Sequence, residues 1–357
     1  MALTEPLLIW GAGAIGGTIG AHLARAGHAV IFVDNVVEHV AAIERHGLRI
    51  EGPIAQFDVK TPAYTPNRLS GSFARILLCV KAHHTEAAAN ALRPFLSSDG
   101  YVVSMQNGLN ELVIASIVGW NRTIGAFVNF GADYLEPGVV LYGGRGAVVL
   151  GELDGKTTPR LTALHEEICD FEPEAIVTEN IWGYLWGKLG YGTLLFATAL
   201  TNDSIADALA IEEYADLYGA LGREVMAVAE VEGVKPEGFN GFDPDAFTVG
   251  ANPAQLARSI AAMVAHNRKS AKSHSGIWRD LAVRKRKTEI DAQIAIIAEI
   301  GEKHGRRSPL IRRLVALIHD IEDGRLGLER TNLGRLAEAL AQVQASADVI
   351  FQRGPAR

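Results

Sequence analysis

The chain has 357 residues, 48% of them hydrophobic and 21% charged, with a formal net charge of −7. That length supports two domains with real cores, the balance is that of an ordinary globular protein, and the acidic excess argues against a nucleic-acid partner. The only cysteines, Cys79 and Cys169, have no metal-ligand spacing and make no disulfide framework. No apolar run is long enough to span a bilayer, and a strand begins too near the N-terminus to leave room for a signal peptide. The expectation is a cytoplasmic protein with no metal and no membrane partner.

The run Leu7-Leu8-Ile9-Trp10 predicts a short buried strand. It leads directly into Gly11-Ala12-Gly13-Ala14-Ile15-Gly16 and an alanine-rich helical pattern through Ala26. G-x-G-x-x-G between a strand and a helix is the spacing of a dinucleotide-binding turn. Gly11 permits the tight bend, Gly13 lets backbone approach a pyrophosphate, and Gly16 lets the helix pack on the strand. The helix N-terminus, with Ala14 and Ile15 in its first turn, holds the phosphates. Gly27 stops that helix, and residues 29–33 read as a second parallel strand ending in Asp34, where an acidic side chain bonds the adenosine ribose. A carboxylate there repels the extra phosphate of NADP, and after Asn35 no cation follows until Arg45. NAD is therefore favoured, with NADP the other possibility. Alternatively, Asp34 caps a helix that begins near Val36.

Farther along, residues 36–44 predict a helix, 47–52 and 55–59 short strands of a small meander, 75–81 a buried strand, 85–95 a helix and 101–105 another strand. This alternation implies an α/β fold with a doubly wound parallel sheet, whose ligands gather at the strand carboxyl ends. Lys81 and Gln106-Asn107-Gly108 fall at such ends. Asn110 and Glu111 open a further helix, residues 123–153 read as strands that extend or cap the sheet, 157–169 as a helix and 175–177 as a last strand. From about Asn180 the pattern becomes helical to the C-terminus, interrupted at 234–253 by a Gly/Pro/Asn-rich segment that is either a lid or a connection. The expected organisation is a dinucleotide-binding domain at 1–179 and an all-helical substrate and dimerisation domain at 180–357.

Lys188 lies in the apolar stretch Trp186-Gly187-Lys188-Leu189. A desolvated lysine would make a good proton donor to a carbonyl receiving hydride; equally, its stem could lie along the core with the ammonium in water. The run Arg284-Lys285-Arg286-Lys287 reads as a solvated helix face, and Thr288-Glu289-Ile290-Asp291 as the start of a helix with favourable first-turn carboxylates.

These motifs occur together in one order: the glycine turn, Val80-Lys81 followed by Thr85, Gln106-Asn107-Gly108, the helix bearing Lys188, and Ser275 with Asp280 leading to Thr288-Glu289-Ile290-Asp291. The sequence thereby resembles the ketopantoate reductase family over nearly its whole length. The resemblance implies a Rossmann domain, a helical domain, a small-molecule substrate, and a monomer or homodimer. It implies Lys188 as general acid, Glu289 as the carboxylate near the reacting hydroxyl, Asn107 at the nicotinamide and substrate, and Lys81 near the cofactor. Family members commonly carry asparagines where this chain has Gly192 and Phe196. The usual paired serine appears as Ser275-Gly276 preceded by His274, which is either a replacement substrate contact or an ordinary polar residue. The family usually uses NADPH, whereas Asp34 favours NAD. The expectation is an NAD(P)-dependent oxidoreductase acting on a small hydroxy or oxo acid or related alcohol. Its alternatives are an authentic ketopantoate reductase with a rearranged pocket and a non-catalytic dinucleotide-binding regulator.

Overall fold

The computed structural model describes residues 5–270 and 273–352, and the chain divides into two compact units, Met1–Trp182 and Gly183–Arg357. The first unit runs β1 (Leu7–Trp10), α1 (Ala14–Arg25), β2 (Val30–Val33), α2 (Val37–His46), β3 (Leu48–Glu51), β4 (Phe57–Val59), β5 (Ala63–Tyr64), β6 (Phe73–Leu78), α3 (Thr85–Leu92), β7 (Leu96–Ser104), α4 (Asn110–Val118), β8 (Thr123–Val128), β9 (Gly131–Glu136), β10 (Val139–Gly144), β11 (Val148–Glu152), α5 (Pro159–Ile168) and β12 (Ile176–Val177).

Eight strands form one sheet in the order β12-β11-β8-β7-β6-β1-β2-β5. All neighbours are parallel except β8 and β11, so the parallel sheet carries one antiparallel junction. Leu7 and Ile9 of β1 enter a core with Ile19, Phe32 and Leu77. Leu8 and Trp10 enter a second core on the other face, with Ile76, Leu78 and Ile114. Burial on both faces is why the strands read as unbroken apolar runs rather than alternating ones.

Residues 47–59 do not form a self-contained meander. They supply β3 and β4 to a second sheet ordered β4-β3-β10-β9, in which Ile50 pairs in parallel with Val140 from far along the chain. This sheet lies over α1: a side chain at Gly17 would come within 3.1 Å of Val140 and 3.3 Å of Leu48.

The helix α6 (Ile181–Thr198) crosses the division between the units. It is followed by α7 (Ile205–Leu209), α8 (Ala215–Val231), α9 (Pro253–Lys269), α10 (Gly276–Ala282), α11 (Ile296–Lys303), α12 (Pro309–Glu322) and α13 (Thr331–Gln352), with a π-helical turn at Asp291–Ala295 just before α11. Among the described residues of this unit the only sheet-like pairing is the isolated bridge Phe239↔Phe242.

The segment at 234–253 is packed as a strap against its own unit. The Glu237 N–H donates to the Gly183 carbonyl at 2.8 Å. A Cβ on Gly187 would lie 2.0 Å from the Glu237 carbonyl, and one on Gly190 would lie 2.6 Å from the Phe242 ring. Phe242 stacks on Phe247 with centroids 4.7 Å apart, and Ser259 accepts from the Asp243 N–H at 3.0 Å. Two glycines in an α-helix are costly in isolation; here they admit the strap.

Glu224 on α8 accepts from the N–H groups of Leu310 and Ile311, at 3.0 and 2.9 Å, in the first turn of α12. Burial pushes its carboxyl up to about 7, against the pull of those two bonds. The folded state therefore holds this proton more tightly than the unfolded chain. Its stabilising contribution is complete below the ordinary carboxyl value of 4.5 and is lost as pH rises through about 7. Urea-unfolding midpoints measured from pH 5 to pH 8 should fall less steeply in Glu224→Gln than in the native protein; identical slopes would show that Glu224 does not titrate in this range.

Candidate active site

The glycine turn is shaped by what a side chain would strike. Gly11 has φ +100° and an added Cβ would lie 2.9 Å from the Val80 nitrogen, which fixes the close approach of the β1 and β6 ends. A Cβ on Gly16 would lie 2.1 Å from the Gly11 carbonyl oxygen and 2.8 Å from Cys79. Gly13 meets nothing within 4 Å, so its side of the turn is open. It caps α1 without a side-chain hydrogen bond, and no acidic residue occupies the first turn. Gly13, Ala14 and Ile15 all stay partly accessible. An uncapped N-terminus behind an open glycine suits a diphosphate, and the residues present fit a dinucleotide.

Asp34 follows β2 and accepts from the Ala12 N–H through Oδ2 and from the Val36 N–H through Oδ1, both at 2.9 Å. Each oxygen keeps a lone pair for a ribose hydroxyl. Asp34 does not cap α2, whose cap position is Val36 without a side-chain bond. Nearby, the Tyr134 phenol is pushed up first by burial and then by the charges of Asp34, Glu38 and Glu136. The sequence places no cation between Asn35 and Arg45, but the fold brings one in. A cavity of about 450 Å³ is lined by Asn35, Glu44, Thr65, Asn67 and Arg68 among others, and Arg68 is held there by both oxygens of Glu44 at 3.0 and 2.8 Å.

At the neighbouring strand ends, β6 stops at Leu78 rather than at residue 81, and half-buried Lys81 precedes a single 3₁₀ turn at Ala82–His84. Gln106 donates through Nε2 to the Val80 carbonyl and to Thr85 Oγ1, both at 2.8 Å. Thr85 Oγ1 lies 2.8 Å from both the Ala82 carbonyl and Asn110 Oδ1, with one proton to give, and Asn110 Nδ2 donates to the Asn107 carbonyl at 2.6 Å. This buried mesh fixes the backbone around Asn107, whose side chain is exposed, and leads into Gly108 at φ +102°.

In the second unit, α6 buries most of its surface, and from Gly183 onward its partly accessible positions are Tyr184, Lys188, Gly192 and Leu195. Spacings of four and three residues put these on one stripe of the helix. Lys188 is the one charged side chain of α6. One turn before it, Tyr184 is pushed up by burial and then by Glu237, so the phenol keeps its proton. One turn after it, an added Cβ at Gly192 would meet nothing within 4 Å. Phe196 is 1% exposed and belongs to the core, so it does not reshape that stripe.

Ser275 caps α10, accepting from the Trp278 N–H at 3.1 Å. The His274 ring packs at a tilt against Trp278 with centroids 4.0 Å apart, and its Nε2 lies 3.2 Å from the Asn202 carbonyl. The basic run that follows is not a helix face. Arg284 and Arg286 fold back onto buried Asp280 at 3.0 and 2.8 Å, and Lys285 has φ +50°. Thr288 donates through both N–H and Oγ1 to Glu322 at 2.7 Å. Half-buried Glu289 thus follows a loop tied down at Asp280 and at Glu322, and only Ile290 separates it from the π turn at Asp291–Ala295.

Residues 7–155 match the family model described as ketopantoate reductase PanE/ApbA, and residues 180–322 match its C-terminal model. The chain belongs to the ketopantoate reductase family. It is an NAD(P)-dependent oxidoreductase acting on CH–OH groups. A 2-dehydropantoate 2-reductase of Mesorhizobium japonicum is 27% identical over 352 residues, covering 91% of this chain and 98% of that one. One from Pyrococcus horikoshii is 35% identical over 184 residues, 51% of this chain and 59% of that one. Among solved structures, a ketopantoate reductase of this family from Ralstonia eutropha is 29% identical with TM-score 0.75, covering 89% and 99% of the two chains. A D-mandelate dehydrogenase solved with NADH and anilino(oxo)acetate is 23% identical with TM-score 0.76, covering 89% and 99%, and shares the fold.

For a ketopantoate reductase family member, the glycine motif, Asp34, Lys81, Asn107, Lys188 and Glu289 were all legible as candidates. The Thr85–Gln106–Asn110 mesh, the Asp280 clamp and Arg68 were not. Polar residues packed at strand ends gave the only hint of the mesh. Two glycine variants separate folding from binding. Gly16→Ala should cost about 3 kcal/mol of stability through overpacking. Gly13→Ala should keep the native melting temperature while weakening NADH binding by about tenfold or more in a fluorescence titration. Equal effects of the two on melting would contradict an open Gly13.

Proposed function

We propose that this protein transfers hydride between NAD and a small hydroxy or oxo acid, or related alcohol, other than ketopantoate. The carrying observation is the accessible stripe of α6, where its single charged residue, Lys188, has the space at Gly192 one turn away. The nicotinamide, when bound, supplies or accepts the hydride. Lys188 acts as general acid, giving its Nζ proton to the substrate oxygen as negative charge develops there, and takes a proton back in the oxidative direction when it is neutral. Glu289 holds the substrate hydroxyl, Asn107 donates to the carbonyl, and Ser275 and His274 contact the substrate carboxylate. Gly11, Gly13, Ala14, Ile15 and Gly16 cradle the diphosphate, Asp34 and Asn35 hold the adenosine ribose, and Lys81 lies by the cofactor. The carboxylates around Tyr134 and the engagement of Arg68 by Glu44 support NAD over NADP. The space at Gly192 supports a substrate bulkier than ketopantoate.

A second reading, an authentic 2-dehydropantoate 2-reductase, is favoured by the names of the full-length relatives. Either activity suits a monomer or a homodimer.

Lys188→Ala should lower turnover by about 10²–10⁴-fold while NADH affinity stays near native; native turnover would remove Lys188 from the mechanism. Asp34→Ser combined with Asn35→Arg should move the preference toward NADP, since a repulsive charge is exchanged for an attractive one. An unmoved ratio of kcat/KM for the two cofactors would place the discrimination elsewhere.

A further inference from the structure

His39 is 1% exposed, on the first turns of α2, and cannot itself reach a bound ligand. Its Nδ1 accepts from the Gly138 N–H at 2.9 Å. That bond requires a bare nitrogen at Nδ1, so the neutral ring carries its proton on Nε2. Nε2 lies 2.9 Å from the carbonyl oxygen of Ala12, inside the glycine turn, and therefore donates to it. Asp34 holds the Ala12 N–H from the other side. Ala12 is thus gripped at both its donor and its acceptor, by a side chain just past β2 and by one from α2.

In a trans peptide the carbonyl and the following N–H point in opposite directions. Fixing the Ala12 carbonyl on His39 consequently fixes the direction of the Gly13 N–H, the first donor of the open turn. The far end of the histidine is anchored too. Gly138 lies between β9 and β10, and its carbonyl accepts from the Arg49 N–H at 2.9 Å. The imidazole also sits edge-on to Tyr134, with centroids 5.1 Å apart. A rigid chain therefore runs from the second sheet through one imidazole to the phosphate-facing peptide.

We propose that His39 is a positioning residue of the dinucleotide site, aiming the Gly13 N–H at the diphosphate and thereby setting cofactor affinity. This rests on the reading of the glycine turn as a dinucleotide site. Two requirements follow for any replacement: an acceptor toward Gly138 and a donor toward Ala12. Glutamine offers both from one amide; leucine offers neither.

The test compares the native protein with His39→Leu and His39→Gln, using NADH and ADP-ribose as probes in calorimetric titrations and varying NADH in steady-state kinetics. His39→Leu should weaken both probes by about tenfold, the scale of one lost buried hydrogen bond, and raise KM for NADH far more than it lowers kcat. His39→Gln should recover most of that loss. Native affinity in His39→Leu, or equal loss of kcat and affinity in both variants, would overturn the proposal. If His39→Leu does not fold, ¹⁵N-edited spectra of the native protein decide. The His39 Nε2–H resonance should be present without ligand and should shift when ADP-ribose is added, and an Nδ1–H tautomer or an unmoved resonance would contradict it. Failure of the native protein to bind either probe would overturn the dinucleotide reading itself, and this proposal with it.

Discussion

The peptide units around Ala12 are the constraint on which the first unit depends. They sit where β1 ends and α1 begins, packed so closely on one another and on Cys79-Val80 that neither Gly11 nor Gly16 can carry a side chain, and they are held by Asp34 on one side and His39 on the other. Neither partner could serve if the neighbouring elements moved. Asp34 is placed by the pairing of β2 with β1 and β5, and its own N–H donates to the Tyr64 carbonyl. His39 is placed by α2 and by Gly138 from the second sheet. That sheet, which a dinucleotide-binding βαβ unit does not itself require, thus supports the glycine turn from outside.

The second unit solves a different problem, that of keeping one charged residue accessible on an otherwise buried helix. Trp186, Leu189 and Phe196 of α6 go into the core, while Gly187 and Gly190 let the 234–253 strap pack against the helix backbone. Lys188 remains on the stripe that these contacts leave uncovered. Glu289 is handled similarly: buried Asp280 collects Arg284 and Arg286, Glu322 fixes Thr288, and the irregular backbone is confined to the loop and π turn on either side. π turns commonly mark functional positions, because they re-aim side chains at the expense of regular hydrogen bonding.

Much of this was legible in the sequence because it rests on short-range signals. The apolar run Leu7–Trp10, the glycine spacing and the acidic end of β2 are local, and each element formed within a few residues of its expected place. What was hidden is long-range. Nothing near residues 47–59 announces that β3 pairs with β10, and nothing near Arg68 announces that it reaches Glu44 and shares a cavity with Asn35. A histidine in an amphipathic helix reads as an ordinary polar residue until its two ring nitrogens have partners. The basic run at 284–287 misled for a related reason: periodicity cannot anticipate that two of its arginines turn back to satisfy one buried carboxylate.

The proposed activity, NAD-dependent hydride transfer involving a substrate other than ketopantoate, is read out by steady-state kinetics. Ketopantoate and a series of 2-oxo acids with larger side chains would be reduced with NADH and with NADPH side by side, followed by nicotinamide absorbance. Under the proposed activity NADH is preferred, and one of the larger 2-oxo acids gives a kcat/KM well above that for ketopantoate. Rapid, NADPH-preferring reduction of ketopantoate at low concentration would contradict it and identify the protein as an authentic ketopantoate reductase.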